Sequence, residues 1–185
     1  MRQVNRVATL LHELPKPTVA KVRGVAVGAG ANLALGCDLA ITATDARFSQ
    51  IFARRALSLD FGGSWLLPRL VGMQRAKRLA FLAEFVSGQE AYDLGLTAWA
   101  VPPEELDDFT DSVLAQLVAA PPVALARTKA LLHAGASTTM AQALDAEATS
   151  QVANFATADT RAAFAAFADK TEPVFTGQWT AAAGG

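Results

Sequence analysis

Apolar residues recur every three or four positions through much of this chain, which is the spacing of one helix face. Over residues 2–14 this spacing predicts a helix that ends before Pro15 and Pro17. It predicts further helices over residues 31–36, 63–70, 74–85, 89–94, 104–119, 123–133, 139–156 and 160–169. Helices therefore make up most of the predicted structure.

Three segments favour strands instead. Val and Ala dominate residues 19–27, which predicts one buried strand, and residues 38–43 and 97–101 predict two more. Residues 44–50 are rich in turn formers, and residues 51–62 show no period and are interpreted as an irregular loop. Two or three strands do not make a self-sufficient sheet. The prediction is therefore an α/β chain that lacks some strands of a complete fold.

A glycine-rich turn, Gly28-Ala29-Gly30, joins the first strand to the helix at 31–36. Such a turn leaves backbone N–H groups at the helix start pointing outward, with the positive end of the helix dipole behind them. That arrangement holds an anion or a developing oxyanion. The alternative is a tight turn that only lets strand and helix pack closely. Dinucleotide binding does not fit, because Leu33 stands where G-x-G-x-x-G needs its last glycine.

Composition narrows the classes of function. The 185 residues, 52% of them hydrophobic, suit one domain with a real core, and the net charge of −1 predicts neither a nucleic-acid surface nor a polybasic membrane patch. No apolar run reaches the roughly 18 residues of a membrane span. Cys37 is a single cysteine, and His12 and His133 are far apart. We therefore expect no disulfide, no metal site and a cytoplasmic location, with a disordered tail at 181–185.

Several sequence blocks, in order along almost the whole chain, resemble the crotonase superfamily, the enoyl-CoA hydratase/isomerase family. They are 16–24 (KPTVAKVRG), 28–34 (GAGANLA), 37–43 (CDLAITA), 62–72 (GGSWLLPRLVG), 87–91 (SGQEA), 94–97 (LGLT) and the helical ending 164–175. The resemblance implies an α/β fold of the ClpP/crotonase type, a spiral of ββα units. It also implies a partial core at 1–103 and a helical C-terminal trimerisation region at 104–185.

The resemblance further implies what the chain binds. Family chemistry centres on an acyl-CoA thioester whose oxygen is held by two backbone N–H groups as it becomes an enolate. Coenzyme A is part of the substrate, and no other cofactor is implied. Family members form trimers or dimers of trimers through their last helices. They also have a region before the position of Lys16 that supplies several strands and the second N–H donor, so the resemblance implies N-terminal truncation.

Three residues are catalytic candidates. Ala29 aligns with the residue that gives one oxyanion donor, and an alanine is acceptable there only if its φ is negative. Asn32 and Phe52 stand where two-glutamate hydratases keep their glutamates, which argues against that mechanism. Asn32 is either a hydrogen-bond donor to substrate or water, or a helix N-cap. Asp60 is either the acid/base, made a better base by its apolar neighbours, or a cap of the helix starting near Gly63.

Substrate contacts are also implied by the resemblance. They are assigned to Val25, Gly28, Ile51, Phe52, Phe167 and Lys170. The last two match positions on the final helix that meet the adenine end of coenzyme A. Their alternatives are core packing for Phe167 and solvent exposure for Lys170. Arg54 and Arg55 are either a solvated face or a contact for the coenzyme A phosphates.

Two hypotheses of function follow. In one, the chain is an isomerase-type enzyme that transfers a proton on an enoyl-CoA thioester through Asp60. In the other, it is a catalytically impaired or non-enzymatic family member that only oligomerises or binds acyl-CoA.

Overall fold

Helices and short strands alternate along the chain in a computed structural model, which describes residues 1–180. The expectation for the tail 181–185 lies outside the described residues. The elements of the first half are α1 Arg2–Glu13, β1 Val19–Val22, β2 Val25–Val27, α2 Ala29–Leu35, β3 Leu39–Ala43, β4 Arg47–Ser49, a short 3₁₀ helix Ile51–Arg55, α3 Gly63–Val71, α4 Met73–Leu82, β5 Val86–Ser87 and α5 Gly88–Leu94. Then follow β6 Trp99–Val101, α6 Leu106–Ala119, α7 Pro122–Gly135, α8 Met140–Phe155 and α9 Ala158–Asp169.

The strands form two three-stranded sheets. The first has the order β1-β3-β6 and is parallel throughout, and the second has the order β2-β4-β5, with β2 parallel and β5 antiparallel to β4. The prediction of one strand over 19–27 is therefore wrong. The chain turns at Gly24, whose φ is +76°, so that β1 and β2 join different sheets. The strands β4 and β5 were not predicted.

The chain divides into two compact units. One comprises residues 1–14 and 18–114, and the other comprises residues 15–17 and those from 115 onward. The boundary between residues 103 and 104, which the resemblance implies between a partial core and a trimerisation region, stays a prediction. A buried apolar cluster forms the core of the first unit, with Ile41, Leu67 and Leu106 almost completely enclosed.

An ion-pair cluster ties β1 to the start of α6 within the first unit. Lys21 Nζ lies 2.6 Å from Asp107 Oδ1, and Arg23 Nη2 lies 3.2 Å from Asp107 Oδ2. The hydrogen bond and the charge of Lys21, followed by the charge of Arg23, lower the pKa of Asp107. This carboxylate is therefore held in its charged form at the edge of the sheet.

The second unit contains α7, α8, α9 and the segment that follows α9. Thr139 and Thr157 cap α8 and α9 by accepting hydrogen bonds from the backbone N–H groups of Gln142 and Thr160. Apolar side chains are nevertheless exposed on all three helices: Leu132, Met140, Val152, Phe155, Phe164 and Phe167. No single helix in residues 1–180 is long and apolar enough to cross a membrane, although the bent pair α6 and α7 meets the length and composition test when taken together.

Candidate active site

The glycine turn begins α2 in the conformation that the sequence requires. Gly28 is the N-cap residue with φ +55° and ψ −127°, and its N–H donates to the Ser49 carbonyl at 2.9 Å. Ala29 is the first helical residue and has no positive φ, so the condition set for an alanine at this position is met. Its N–H belongs to the first turn of α2, where no helical carbonyl lies within reach. The role of Ala29 as an oxyanion donor stays a prediction.

Three predicted substrate-binding residues meet at this turn. A Cβ placed on Gly28 would lie 3.6 Å from Ile51 Cγ2 and 3.6 Å from Phe52 Cζ. Phe52 is buried and Ile51 is half-buried, at the start of the 3₁₀ helix. These apolar side chains therefore pack against the glycine whose backbone lies next to Ala29.

Asn32 is fully buried and is not the N-cap of α2. That alternative is wrong, because Gly28 occupies the N-cap position and makes the helix's first backbone bond by accepting from the Asn32 N–H at 3.0 Å. The Asn32 side chain instead bridges two segments: its Nδ2 donates to the backbone carbonyl of Asp60 at 2.9 Å, and its Oδ1 accepts from Gln50 Nε2 at 2.9 Å. Asn32 therefore holds in place residues 60–63, which we call the Asp60 segment.

Asp60 has a buried carboxylate oxygen that no described residue satisfies. Its Oδ1 is enclosed and accepts no hydrogen bond within residues 1–180, while the residue as a whole is half-buried. The alternative role as a cap of α3 is wrong, because Gly62 is the N-cap and no described side chain caps this helix. A carboxylate oxygen in this state keeps its capacity to accept a proton or a hydrogen bond.

The Asp60 segment has an unusual backbone. Phe61 and Gly62, the next two residues, both have positive φ, +48° and +80°. The Asp60 carbonyl accepts from Gly63 N at 2.9 Å as well as from Asn32. A left-handed conformation at a buried phenylalanine is strained and persists only when its surroundings fix it.

Gln50 belongs to this group of residues, although the sequence predicted no role for it. It follows β4 directly, is only 4% exposed, and donates to Asn32 Oδ1, while its own Oε1 is buried and accepts nothing from the described residues. No local signal could have found it, because the strand that it follows was not predicted. The structure thus joins Asn32, Gln50 and Asp60 into one buried polar cluster.

The other predicted binding residues are mostly exposed. Val25 is 62% exposed at the start of β2. Phe167 and Lys170 belong to the second unit; Phe167 is 86% exposed, so the core-packing alternative is wrong for it, and Lys170 is exposed at the C-terminal end of α9. Arg54 and Arg55 are exposed at the end of the 3₁₀ helix. All of these binding roles stay predictions.

A largely apolar cavity of about 350 Å³ lies within the first unit, next to the Asp60 segment. Leu11 and His12 of α1 line it on one side, and Phe61, Trp65 and Leu66 line it on the other. The rings of His12 and Trp65 meet edge to face at 5.1 Å, and the Arg69 guanidinium lies 4.0 Å from the centre of the Trp65 ring. The contacts with His12 and Arg69 therefore stabilise the position of the Trp65 ring where it lines this cavity.

The chemistry available at this site is that of one carboxylate. Asp60 can accept and return a proton, and the N–H groups at the start of α2 can stabilise negative charge on an oxygen. Asn32 and Phe52 supply no further proton acceptor. No group of three or more His, Cys, Asp or Glu side chains suited to a metal ion occurs in the described part of the chain.

Comparisons with known proteins point to one family. The family model described as enoyl-CoA hydratase/isomerase matches residues 2–178. The chain is 41% identical over 168 residues to a Rhodobacter capsulatus relative named as a probable enoyl-CoA hydratase, covering 91% of this chain and 65% of that protein. It is 37% identical over 177 residues to the 1,2-epoxyphenylacetyl-CoA isomerase of Escherichia coli, covering 96% of this chain and 68% of that protein. The chain thus spans about two thirds of these relatives' lengths.

A solved structure matches nearly all of this chain. The crystal structure of an enoyl-CoA hydratase from Polaromonas sp. JS666 superposes with a TM-score of 0.90 at 32% sequence identity, covering 95% of this chain and 68% of that one. This likeness confirms the predicted α/β fold class.

Proposed function

The chain belongs to the enoyl-CoA hydratase/isomerase family, and from that premise we propose that it is an isomerase that moves the double bond of an enoyl-CoA thioester. The names of its relatives include both hydratases and isomerases. The observation that favours isomerisation is the carboxylate of Asp60, which has a buried oxygen with no partner in residues 1–180. The resemblance to the family also implies that Asn32 and Phe52, neither of which can exchange a proton, stand where two-glutamate hydratases keep their glutamates. One carboxylate suffices to carry a proton from one carbon to another.

The proposed reaction is a proton transfer with no net oxidation. The Asp60 carboxylate removes a proton from the α carbon of a β,γ-enoyl thioester, and the C–H electron pair moves into the conjugated enolate. The negative charge that develops on the thioester oxygen is stabilised by the Ala29 N–H. Protonated Asp60 then returns the proton to the γ carbon, which yields the α,β-enoyl thioester and restores the carboxylate. The chemistry requires no cofactor besides the coenzyme A of the substrate.

The cavity beside Asp60 is the proposed place of the acyl chain. It is lined mainly by apolar side chains, and Phe61 and Gly62, which follow Asp60 directly, contribute to its wall. An acyl chain in this cavity would be removed from water, which favours binding in proportion to its apolar area. Trp65, fixed by His12 and Arg69, would limit the size of the group that enters.

The test is the conversion of a 3-enoyl-CoA to the conjugated 2-enoyl-CoA, followed by the absorbance of the product. We expect Asp60→Asn to lower kcat by about 10²–10⁴-fold, since the amide cannot accept the proton. Binding of a saturated acyl-CoA, measured by calorimetry, should be retained. Asp45→Asn, a matched change in the exposed turn between β3 and β4, should leave both measurements unchanged.

Three results would contradict the proposal. If Asp60→Asn converts the substrate as fast as the original chain, Asp60 is not the acid/base. If the original chain binds acyl-CoA without any turnover, the non-enzymatic alternative is correct. Formation of a 3-hydroxyacyl-CoA as the main product would instead identify a hydratase.

A further inference from the structure

We propose that Gln50 is a positioning residue of the active site, acting through Asn32 on the segment that carries Asp60. The inference rests on the proposed function, since it assigns Asp60 as the acid/base. It adds a residue that lies outside the set of catalytic and binding candidates.

The connection is a chain of two side-chain amides buried in the first unit. Gln50 Nε2 donates to Asn32 Oδ1 at 2.9 Å, and Asn32 Nδ2 donates to the Asp60 carbonyl at 2.9 Å. Gln50 is 4% exposed and Asn32 is 0% exposed. Water therefore does not compete for these bonds in the folded protein.

Gln50 determines which way the Asn32 amide faces. An asparagine side chain has a donor on one side and an acceptor on the other, and rotation by half a turn exchanges them. The donor of Gln50 keeps Asn32 Oδ1 on its own side, so Nδ2 faces the Asp60 carbonyl. Without that donor, Asn32 Oδ1 loses its partner, and only the bond to the Asp60 carbonyl still orients the amide, so the hold on the Asp60 segment is weakened.

The Asp60 segment depends on that bond. Phe61 and Gly62 have positive φ, and a left-handed backbone at a non-glycine residue persists only where neighbouring groups impose it. Besides the bond from Gly63 within the segment, the Asp60 carbonyl accepts the bond from Asn32. The orientation of the Asn32 amide therefore bears directly on where the Asp60 carboxylate stands.

One atom of the Gln50 side chain, the carbonyl oxygen, lowers the stability of the folded protein. Its Oε1 is buried and unsatisfied by any described residue, and a buried acceptor without a partner is unfavourable. A methionine or leucine would remove that penalty, but it would leave the buried Asn32 Oδ1 without the donor that Gln50 supplies. The position of Gln50 also suits the role, because the preceding residue, Ser49, accepts the hydrogen bond of Gly28 N at the glycine turn. Ser49 and Gln50 thus contact the glycine turn directly and the Asp60 segment through Asn32.

The experiment replaces the donor of Gln50 while keeping its volume. We expect Gln50→Met to lower kcat for 3-enoyl-CoA isomerisation by about 10- to 100-fold, the loss typical of a misplaced catalytic group, with KM unchanged. We also expect Gln50→Met to add no further loss in an Asn32→Leu background, since residues of one network are not additive. Thr97→Val is the control, because it removes another buried oxygen of the first unit that no described residue satisfies and should leave kcat unchanged.

A second measurement does not depend on turnover. The Gly63 N–H donates to the Asp60 carbonyl, so its hydrogen exchange should be faster in Gln50→Met than in the original chain and unchanged in Thr97→Val. If the original chain is inactive, the proposed function fails, and the exchange rate alone decides whether Gln50 positions the segment. Should Gln50→Met fail to fold, Gln50→Leu replaces it.

Three outcomes would overturn the inference. The first is a Gln50 variant with unchanged kcat in an active enzyme. The second is an increase in KM without a change in kcat, which would mean that Gln50 contributes to binding only. The third is an unchanged exchange rate at Gly63.

Discussion

At the scale of single residues, the buried amide of Asn32 is the centre of the candidate site. It joins Gln50, which is 18 residues away in sequence, to Asp60, which is 28 residues away. An amide carries no charge, so this connection avoids the desolvation cost that a buried carboxylate would bring. Asn32 therefore links the helix α2 to the Asp60 segment by a hydrogen bond.

Gly63 is necessary for this contact. A Cβ at position 63 would collide with the Asn32 amide, with Cγ at 2.9 Å and Oδ1 at 3.0 Å. We expect Gly63→Ala to destabilise the protein by about 1–3 kcal/mol, as overpacking of a buried site does, and to lower isomerase activity. Urea unfolding and the 3-enoyl-CoA assay measure the two effects.

The matched control for Gly63→Ala is Gly135→Ala. A Cβ added at position 135, at the end of α7, would meet no described atom within 4 Å, and the backbone there has no positive φ. The stability of this variant should stay the same or rise slightly, because alanine restricts the unfolded chain. Equal destabilisation of both variants would show that the Asn32 contact is not the cause.

The sequence alone offered Asp60 as a candidate but did not reveal its hydrogen-bond neighbours Asn32 and Gln50. A carboxylate between apolar residues and before two glycines is a local pattern that can be seen in one segment. The role of Gln50 depends on Asn32, which lies on another element, and no local spacing reveals such a pair. The capping roles that the sequence left open as alternatives for Asn32 and Asp60 are wrong, because Gly28 and Gly62 occupy the N-cap positions themselves.

At the scale of elements, the start of α9 anchors the chain that follows this helix. Asp159 is 4% exposed, and its carboxylate accepts from Thr176 N at 2.7 Å and from Gly177 N at 3.0 Å. Ala158 N also donates to the Gln178 carbonyl at 2.8 Å. These bonds fasten residues 176–178 to the first turn of α9.

Removing that carboxylate should loosen the segment. We expect Asp159→Ala to destabilise the second unit by about 1–3 kcal/mol, because two backbone N–H groups lose their acceptor. Hydrogen exchange at Thr176 and Gly177 should become faster, and thermal unfolding should begin earlier. Asp169→Ala, an exposed change at the other end of α9, is the control; an equal effect there would contradict the role of Asp159.

Helices were predicted better than strands, for a physical reason. Apolar spacing over a dozen residues identifies a helix from its own sequence, as for α1 and α8. The strands β4 and β5 are three and two residues long, too short for any alternation to show. The division of residues 19–27 into β1 and β2 depends on pairing with β3 and β4, which composition does not contain.

At the scale of the whole molecule, the exposed apolar side chains of α7, α8 and α9 are the feature that a single chain does not explain. Exposed apolar patches of this kind are typical of interfaces. We propose that the chain forms a trimer or a dimer of trimers through these helices. Light scattering should then give three or six times the 19.4 kDa of one chain.

A charge on the apolar face should break this assembly. Val152 is exposed on α8, and Val152→Glu would bury a charge in the proposed interface, so we expect smaller species at the same concentration. Thr149→Glu places the same charge at an exposed polar position of α8 and should leave the mass unchanged. A monomeric original chain would contradict the proposal outright.

The strand order β1-β3-β6 also bears on how the protein is made. While the chain emerges from the ribosome, β3 can pair with β1 early, but its other edge stays open until synthesis has reached Val101. An open strand edge is a template for pairing with other chains, and parallel pairing across a long sequence separation is slow. The interval of translation between Ala43 and Val101 is therefore the period in which the nascent protein is most exposed to aggregation.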